Sequence, residues 1–226
     1  MKTIAKLAAF LPLAATLVWL QFLPDRVPVH YNAAGTIDRW GSRWEFLLLP
    51  CVVLALAAVI AGIGLLLRRK AGADEKALAH AETNGKVLRL VLLGLCGFFT
   101  VLQIAMLIGA GREAASGAET ASVPMMKVSA LAMAFLLIFL GNFMPKAKLN
   151  SAVGLRCGWT MYNDTTWQKG NRFGGWALIT AGFVTIPAVL LAPEGWAMPI
   201  LLGTIAAATV ASLIYAKKVY DEETGR

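Results

Sequence analysis

The chain has 226 residues, 58% of them hydrophobic and only 15% charged, and its formal net charge is +8. Soluble proteins are about 45–50% apolar and about 25% charged, so this composition excludes an ordinary soluble domain. The basic residues concentrate in alternate loops between apolar runs, and this pattern argues against a nucleic-acid-binding patch.

Six apolar runs, each of 17 to 22 residues and almost free of charge, follow one another along the chain. They cover residues 4–23, 46–67, 90–111, 128–144, 173–192 and 195–216. About 20 helical residues, at about 1.5 Å each, cross the hydrocarbon core of a bilayer. The first run has bulky residues where a signal peptide would be cleaved, so we keep it as a span. The sequence predicts an all-α, polytopic membrane protein with six transmembrane helices.

The distribution of lysine and arginine predicts the orientation of these spans. One set of alternating loops and termini holds 16 of these residues, and the other set holds 5. Because cytoplasmic loops carry this excess, both termini are predicted to be cytoplasmic. We divide the chain into three regions. Residues 1–67 form a helical hairpin with an external loop at 24–45, and residues 68–127 contain a basic cytoplasmic loop, the third span and a second external loop. Residues 128–226 contain a cytoplasmic loop at 145–172 and the last three spans.

Little within the spans suggests chemistry. No Asp, Glu, Lys, Arg or His lies in the middle of a span, and Gln103 is predicted to hydrogen-bond to a neighbouring helix. The three cysteines have no CxxC pair, so they predict neither a disulfide framework nor a zinc site. Residues 68–89 are predicted to extend the second and third spans as helices. Residues 112–127, which are rich in Ala, Ser and Gly, are predicted to be mobile.

The first external loop has the residues of an ordered element. Pro24 ends the first span, residues 29–31 favour a short strand, and residues 32–35 favour a turn. Trp40 is predicted to close this element against the membrane surface.

Two interpretations of this loop stay open. His30, Asn32 and Asp38 could act as metal ligands or as an acid/base pair, in a metal-assisted membrane enzyme or a small-molecule transporter. Alternatively, His30 is bound to Asp38 or to the backbone for structural reasons. One His with one or two carboxylates is a poor zinc set, which favours the second interpretation.

The cytoplasmic loop at 145–172 also contains residues that a simple spacer would not need. Asn142 is placed to bind carbonyls where the fourth span ends before Pro145. Asn163 or Asp164 is predicted to cap a short helix that carries Trp167 into the fifth span. The loop is either an interfacial anchor of the bundle or a docking surface for a cytoplasmic partner.

These two loops resemble the signatures of the SdpI family of bacterial membrane proteins, which provide immunity to a secreted toxic peptide. The matching residues of the first loop are Pro24, Pro28, His30, Tyr31, Asn32, Gly35, Asp38, Trp40, Gly41 and Ser42. Those of the second are Gly141, Asn142, Pro145, Lys146, Asn150, Gly154, Arg156, Trp159, Thr160, Trp167, Arg172 and Gly174. The chain departs from the family at Gly158, commonly Pro, and at Asn171, often His.

The resemblance implies a protein of the bacterial inner membrane with no catalytic activity and no cofactor. Its external face would meet the toxic peptide, and its inner face would sequester a small DNA-binding repressor. The residues that the resemblance implies for the peptide are His30, Tyr31, Asn32, Asp38 and Trp40. Those implied for the repressor are Asn142, Lys146, Asn150, Arg156, Trp159, Thr160, Trp167 and Arg172.

Overall fold

The computed structural model of the chain describes residues 2–32 and 35–225. Its helices are α1 (Lys2–Ala9), α2 (Leu11–Trp19), α3 (Leu48–Ala71), α4 (Glu75–Ser116), α5 (Met125–Phe143), α6 (Asp164–Leu191) and α7 (Ala197–Thr224). Two strands, β1 (Arg26–Tyr31) and β2 (Ile37–Ser42), lie between α2 and α3. Short 3-10 helices occupy Arg43–Leu47, Met144–Lys146 and Glu194–Trp196.

Five helical segments are long and apolar enough to cross a membrane. They are Arg43–Ala71, Glu75–Ser116, Met125–Lys146, Asp164–Leu191 and Glu194–Thr224. These segments cover the last five of the six predicted spans, except for residue 192 at the end of the fifth. The prediction of a helical, multi-span protein is therefore confirmed for that part of the chain.

The first predicted span is a shorter apolar helical stretch, Thr3–Trp19. It is divided between α1 and α2 at Phe10, and Pro12 lies in the first turn of α2, where its missing N–H leaves no lost hydrogen bond. The helix ends at Trp19, before the predicted end at residue 23. The count of six spans therefore stays a prediction.

Helix α4 is much longer than a single crossing requires. Its 42 residues extend over about 60 Å, at about 1.5 Å per residue. The N-terminus is capped by Asp74, whose carboxylate accepts a hydrogen bond from the Ala77 N–H at 2.8 Å. The prediction that residues 68–89 extend the neighbouring spans is confirmed, because α3 continues to Ala71 and α4 begins at Glu75.

Helix α4 also connects the two halves of the bundle. It packs against α1, α2 and α3 on one side and against α5 on the other, and α5, α6 and α7 pack together. One buried cluster joins α1, α3 and α4 around Val53 and Cys96, and another joins α5, α6 and α7 around Ala130 and Val189. In α5 and α6, Gly141 and Gly175 permit close approach of the backbones: a Cβ on Gly141 would lie 2.5 Å from the Gly175 carbonyl oxygen.

Gln103 links three elements inside this bundle. It is fully buried, and its Nε2 donates hydrogen bonds to Thr16 Oγ1 at 2.8 Å and to the Phe46 carbonyl at 3.0 Å. The prediction that Gln103 bonds a neighbouring helix is therefore confirmed. The two bonds connect α4 to α2 and to the start of the α3 segment.

Candidate functional site at the two ends of helix α4

At one end of the bundle, β1 and β2 form an antiparallel hairpin. The register is irregular around His30, where a bulge shifts the pairing. The ordered element predicted from the sequence for residues 24–45 is confirmed, and its external position stays a prediction. The predicted turn at 32–35 is described at both of its ends, and its residues 33 and 34 lie outside the described part of the chain.

His30 and Asp38 meet across the hairpin, with 2.6 Å between His30 Nδ1 and Asp38 Oδ1. Both side chains are exposed, so this pair is worth at most about 1 kcal/mol to the folded state. The structure thus contains the His30–Asp38 hydrogen bond of the second interpretation. Within residues 2–32 and 35–225, no group of three or more His, Cys, Asp and Glu side chains is placed to hold a metal ion.

Asn32 lies at the tip of the hairpin, and Trp40 lies closer to its open end. Asn32 is exposed at the tip, where its Oδ1 accepts a hydrogen bond from the Thr36 N–H at 3.0 Å. Trp40 is half-buried and pairs with Pro28 on the facing strand. Of the residues predicted for the external face, His30, Asn32 and Asp38 are therefore the ones most open to solvent.

The Trp-Gly-Ser sequence at the end of β2 has a structural explanation. The Ser42 hydroxyl accepts a hydrogen bond from the Trp44 N–H at 3.4 Å, and the Ser42 N–H donates to Glu45 at 3.1 Å. The Glu45 carboxylate occupies the space that a Cβ on Gly41 would need. This capping box fixes the direction in which the chain enters α3.

The segment between α4 and α5, which the sequence predicts to be the second external segment, packs on the hairpin. The Ile37 N–H donates to the Glu119 carbonyl, and the Ala121 N–H donates to the Gly35 carbonyl, each at 2.8 Å. Composition predicted a mobile loop, whereas the structure gives this segment a defined place. Small side chains gave no sign of it because the pairing uses backbone groups.

Glu113, on the last turn of α4, is the residue of this end that the sequence analysis missed. Only 1% of it is exposed. Its Oε2 accepts a hydrogen bond from the Tyr31 hydroxyl at 2.5 Å, and its Oε1 accepts from the N–H and the hydroxyl of Ser122, at 2.6 and 2.9 Å. A buried carboxylate needs such donors, and here they come from the hairpin and from the segment after α4. The available signal was one acid close to the end of a long apolar run.

Tyr31 points inward to this carboxylate, unlike its neighbour His30. Burial, followed by the hydrogen bond to Glu113 and its negative charge, raises the pKa of Tyr31 well above the ordinary value of 10.0. The phenol therefore keeps its proton and remains a hydrogen-bond donor at neutral pH. Tyr31, Glu113 and Ser122 fasten the hairpin, α4 and the second external segment to one another.

At the opposite end, residues 147–163 fold back on the start of α6 around Trp167. Only 1% of Trp167 is exposed, and its indole Nε1–H donates to the Ala147 carbonyl at 2.8 Å. Asn163 caps α6 through a hydrogen bond from the Thr166 N–H at 2.8 Å. The predicted helix start is confirmed. Trp167 is placed in the protein interior and not in the lipid interface.

Asn171 and Gly154 hold the middle of this loop. Asn171 is fully buried, its Oδ1 accepts from the Leu155 N–H at 2.7 Å, and its Nδ2 donates to the Trp167 carbonyl at 3.0 Å. Gly154 has a φ of +118°, and a Cβ there would lie 2.6 Å from Asn171 Oδ1. Asn171 is one of the two departures from the family pattern, and in this chain it has a clear structural role.

Two further polar residues of the loop bind backbone groups. Thr160 is fully buried, and its hydroxyl donates to the Leu155 carbonyl at 2.7 Å. Asn150 accepts from the N–H groups of Ala152 and Val153, at 2.6 and 2.8 Å. Both side chains thus determine the shape of the loop.

The remaining residues predicted for the inner face reach the surface. Asn142, Lys146, Arg156 and Arg172 are exposed, and Trp159 is half-buried. Asn142 also donates from Nδ2 to the Ile138 carbonyl at 2.8 Å, at the end of α5 where the sequence predicted it to bind carbonyls. The loop therefore combines a buried frame with a cationic outer surface.

This inner loop is attached to α4 as well. Asn84 is 1% exposed, and its Oδ1 accepts a hydrogen bond from the Lys148 N–H at 2.9 Å. Val87, one turn further along α4, belongs to the same small buried cluster as Ala147 and Trp167. The sequence analysis also missed Asn84. It lies among charged residues, and that pattern is typical of a solvent-exposed helix.

Two protein-family models match the chain, each over the region of one loop. Residues 146–216 match the SdpI/YfhL protein family, and residues 7–54 match a domain of unknown function (DUF1648). The immunity protein SdpI of Bacillus subtilis (strain 168) is 25% identical over 169 residues, which are 75% of this chain and 72% of that protein. The resemblance to the SdpI family is confirmed.

A second relative matches a shorter stretch of the chain. It is an uncharacterised protein of Archaeoglobus fulgidus, 43% identical over 54 residues, which are 21% of this chain and 30% of that protein. No solved structure matches the chain. Together with the five membrane-spanning segments, these likenesses describe an SdpI-like, multi-pass membrane protein.

Proposed function

We propose that this protein is a membrane immunity and signalling protein of the SdpI kind, without catalytic activity of its own. It protects the cell from a secreted toxic peptide and reports the peptide by sequestering a small DNA-binding repressor at the inner face. The observation that supports this proposal best is the attachment of both signature loops to one helix, α4. The similarity to the immunity protein SdpI over 75% of the chain supports it independently.

The proposed topology has six spans in the bacterial inner membrane, with both termini in the cytoplasm. It is supported by the concentration of lysine and arginine in alternate loops and by the apolar character of Thr3–Trp19. In this topology the hairpin with His30 faces outward, and the loop with Arg156 faces the cytoplasm.

The outer face would meet the peptide through the exposed edge of the hairpin. His30, Asn32 and Asp38 offer hydrogen-bonding groups to solvent, and Trp40 adds an aromatic surface beside them. Tyr31 takes part indirectly, since its hydroxyl is bound to Glu113. A ligand that displaces the hairpin therefore acts on the end of α4.

The inner face would dock the repressor through its exposed cations, Lys146, Arg156 and Arg172, with the half-buried Trp159 among them. Asn142 is exposed at the edge of this surface. Asn150, Thr160 and Trp167 contribute by holding the loop in shape, because their polar atoms bind the backbone of the loop.

Signalling requires that the peptide bind two states of the bundle with different affinities. The structure suggests α4 as the moving element: Glu113 fastens it to the outer segments, and Asn84 fastens it to the inner loop. The two-state change that we propose is a relative tilt of the first and fourth spans. In the structure, α4 packs against both α2 and α5, so a relative tilt of those spans would be transmitted through it.

Immunity is tested by membrane potential. Cells that express the chain should keep their potential when challenged with a membrane-permeabilising secreted peptide, as followed with a potential-sensitive dye. Cells that express the His30→Ala, Asp38→Ala double variant at the same level serve as the comparison. Equal depolarisation with and without the wild-type protein would contradict the immunity role.

Signalling is tested by crosslinked pull-down from native membranes. The wild type should capture a small DNA-binding protein, and Arg156→Glu should lose it. Lys70→Glu is the matched control, because Lys70 is also an exposed cation and lies at the end of α3, outside the inner loop. If wild type and Arg156→Glu give the same partner-free result, the loop is an anchor of the bundle and signalling is wrong.

A further inference from the structure

The bundle contains a groove of about 600 Å³ between α1, α3 and α4, at the end where these helices carry their basic residues. Its deeper wall is apolar and is formed in part by Ile60, Leu88 and Leu92. Ala61 and Gly64, on the groove side of α3, are small and leave this space open. A volume of this size accommodates a small ligand with apolar parts.

The mouth of the groove is strongly cationic. Lys6, Arg68, Lys86 and Arg89 line it, and Glu82 is the one acid among the lining residues. None of these four cations forms an ion pair or a side-chain hydrogen bond with another residue in the described part of the chain. Four cations around one carboxylate give the mouth of the groove a net positive charge, which attracts an anion.

Arg89 supplies the observation that points to a ligand. Its Nε is buried and has no hydrogen-bond partner within the described residues. Its Nη1 would lie 3.6 Å from a Cβ on Gly85, so the guanidinium folds back one turn toward the N-terminus of α4 and the mouth of the groove. The terminal Nη groups of Arg89 are not buried and also have no hydrogen-bond partner within the described residues, so they can donate parallel hydrogen bonds to a phosphate at the mouth.

The position of the groove along the helices narrows the choice of anion. Arg89 immediately precedes the apolar run 90–111, and Arg68 immediately follows the run 46–67, so both lie at the depth where an apolar span meets the headgroups. Leu92 lies about 5 Å deeper along α4 than Arg89, at about 1.5 Å per residue. A phosphate at the mouth thus continues directly into apolar walls.

We propose that this groove binds one anionic phospholipid, with its phosphate at Arg89, Lys86, Arg68 and Lys6 and its acyl chains against the apolar wall. The site is separate from both signature loops and does not depend on the function proposed above. It ties α1, the short first helix, to α3 and α4 through a shared ligand.

The test is native mass spectrometry of the delipidated full chain in detergent, titrated with phosphatidylglycerol and, separately, with phosphatidylcholine. The wild type should bind one phosphatidylglycerol in preference to phosphatidylcholine. Each cation removed should weaken binding about fivefold, since a basic residue near a membrane surface contributes about 1 kcal/mol. We expect this loss for Lys86→Gln and a larger one for Lys86→Gln combined with Arg89→Gln.

The control is Arg69→Gln combined with Lys70→Gln, which removes the same charge from exposed positions outside the groove. It should change the affinity less than twofold. Lys86 is exposed, so its single variant tests the site even if the Arg89 variant fails to fold.

Three outcomes would overturn the proposal. Equal losses in the groove and control variants would assign the binding to diffuse surface charge. Equal affinity for phosphatidylglycerol and phosphatidylcholine would show that the cations recognise no headgroup. Inorganic phosphate that competes at a concentration equal to the lipid's would make the ligand a soluble anion and exclude a contribution from the apolar wall.

Discussion

Glu113 and Asn84 lie on one uninterrupted helix and fasten segments at its opposite ends. Glu113 accepts hydrogen bonds from Tyr31 in the hairpin and from Ser122 in the segment after α4, and Asn84 accepts one from the Lys148 N–H in the loop before α6. The two residues are about 40 Å apart along α4, at about 1.5 Å per residue. A rigid helix with a buried polar contact at each end gives the two faces a physical connection.

Replacing Tyr31 with Phe should loosen the outer segments. The change removes a hydrogen bond to a buried carboxylate, worth about 1.5–3 kcal/mol. Amide hydrogen exchange at Ile37 and Ala121, whose N–H groups pair the two segments, should therefore accelerate roughly 10- to 100-fold, since about 1.4 kcal/mol corresponds to a factor of ten.

Two further variants make this test specific. The double variant with Glu113→Gln and Tyr31→Phe should lose less stability than the sum of the losses in the two single variants, because the two residues share one hydrogen bond. His30→Ala, which removes an exposed pair, should accelerate exchange no more than about fivefold. Equal acceleration by Tyr31→Phe and His30→Ala would show that the buried bond does not hold the segments.

The raised pKa of Tyr31 predicts its behaviour in alkali. The Tyr31 contribution to tyrosinate absorbance is the difference between the wild type and Tyr31→Phe, and it should stay absent as the pH passes 10.0. Because the folded-state pKa is raised, the bond stabilises the fold fully below the ordinary tyrosine pKa, and this stabilisation is lost progressively as the pH rises from that value through the folded-state pKa.

In Glu113→Gln the Tyr31 signal should appear at lower pH than in the wild type. The substitution removes the charge and weakens the bond that oppose ionisation, while burial remains. A Tyr31 signal at the ordinary pKa in the wild type would contradict the buried geometry.

Gly154→Ala should destabilise the inner loop by at least about 1–3 kcal/mol. The φ of +118° is strained for alanine, and the new Cβ would approach Asn171 Oδ1 and the Trp167 ring. Gly158→Ala is the matched control, since it lies in the same loop with no atom within 4 Å of its Cβ position. Thermal unfolding in detergent, with limited proteolysis within residues 147–163 as the local measure, distinguishes the two. Equal effects would mean that the loop does not have this conformation.

Replacing Trp167 with Phe should lower the free energy of unfolding by about 1–3 kcal/mol, because the Ala147 carbonyl loses its hydrogen-bond donor. The cavity left by the smaller ring should lower it further. Trp176→Phe is the control within the same helix, because Trp176 is 62% exposed. We expect the apparent melting temperature to fall clearly for the first variant and little for the second. A similar fall for both would place Trp167 at the surface.

Local chemistry in the sequence predicted the elements that depend on near neighbours. The apolar runs predicted the five long helices, since about 20 consecutive apolar residues have few other stable arrangements. Residues 29–31 predicted the first strand, and Asn163 predicted the start of α6. The length of the first span was predicted less accurately. Pro12 and the turn after Trp19 shorten the helix, and a count of apolar residues does not detect either effect.

The sequence by itself determined that this chain is a multi-span helical protein with two ordered polar loops. The length of an apolar run and the residues of a turn both depend only on residues that are close together in the sequence. Only the tertiary structure decided which polar residues turn inward. Tyr31 and Glu113 are 82 residues apart and Asn84 and Lys148 are 64 apart, yet each pair shares one hydrogen bond. The same packing made Trp167 and Thr160 part of the loop's interior and left Arg156 at its surface. Burial depends on what packs against a residue, and that neighbour is distant in sequence.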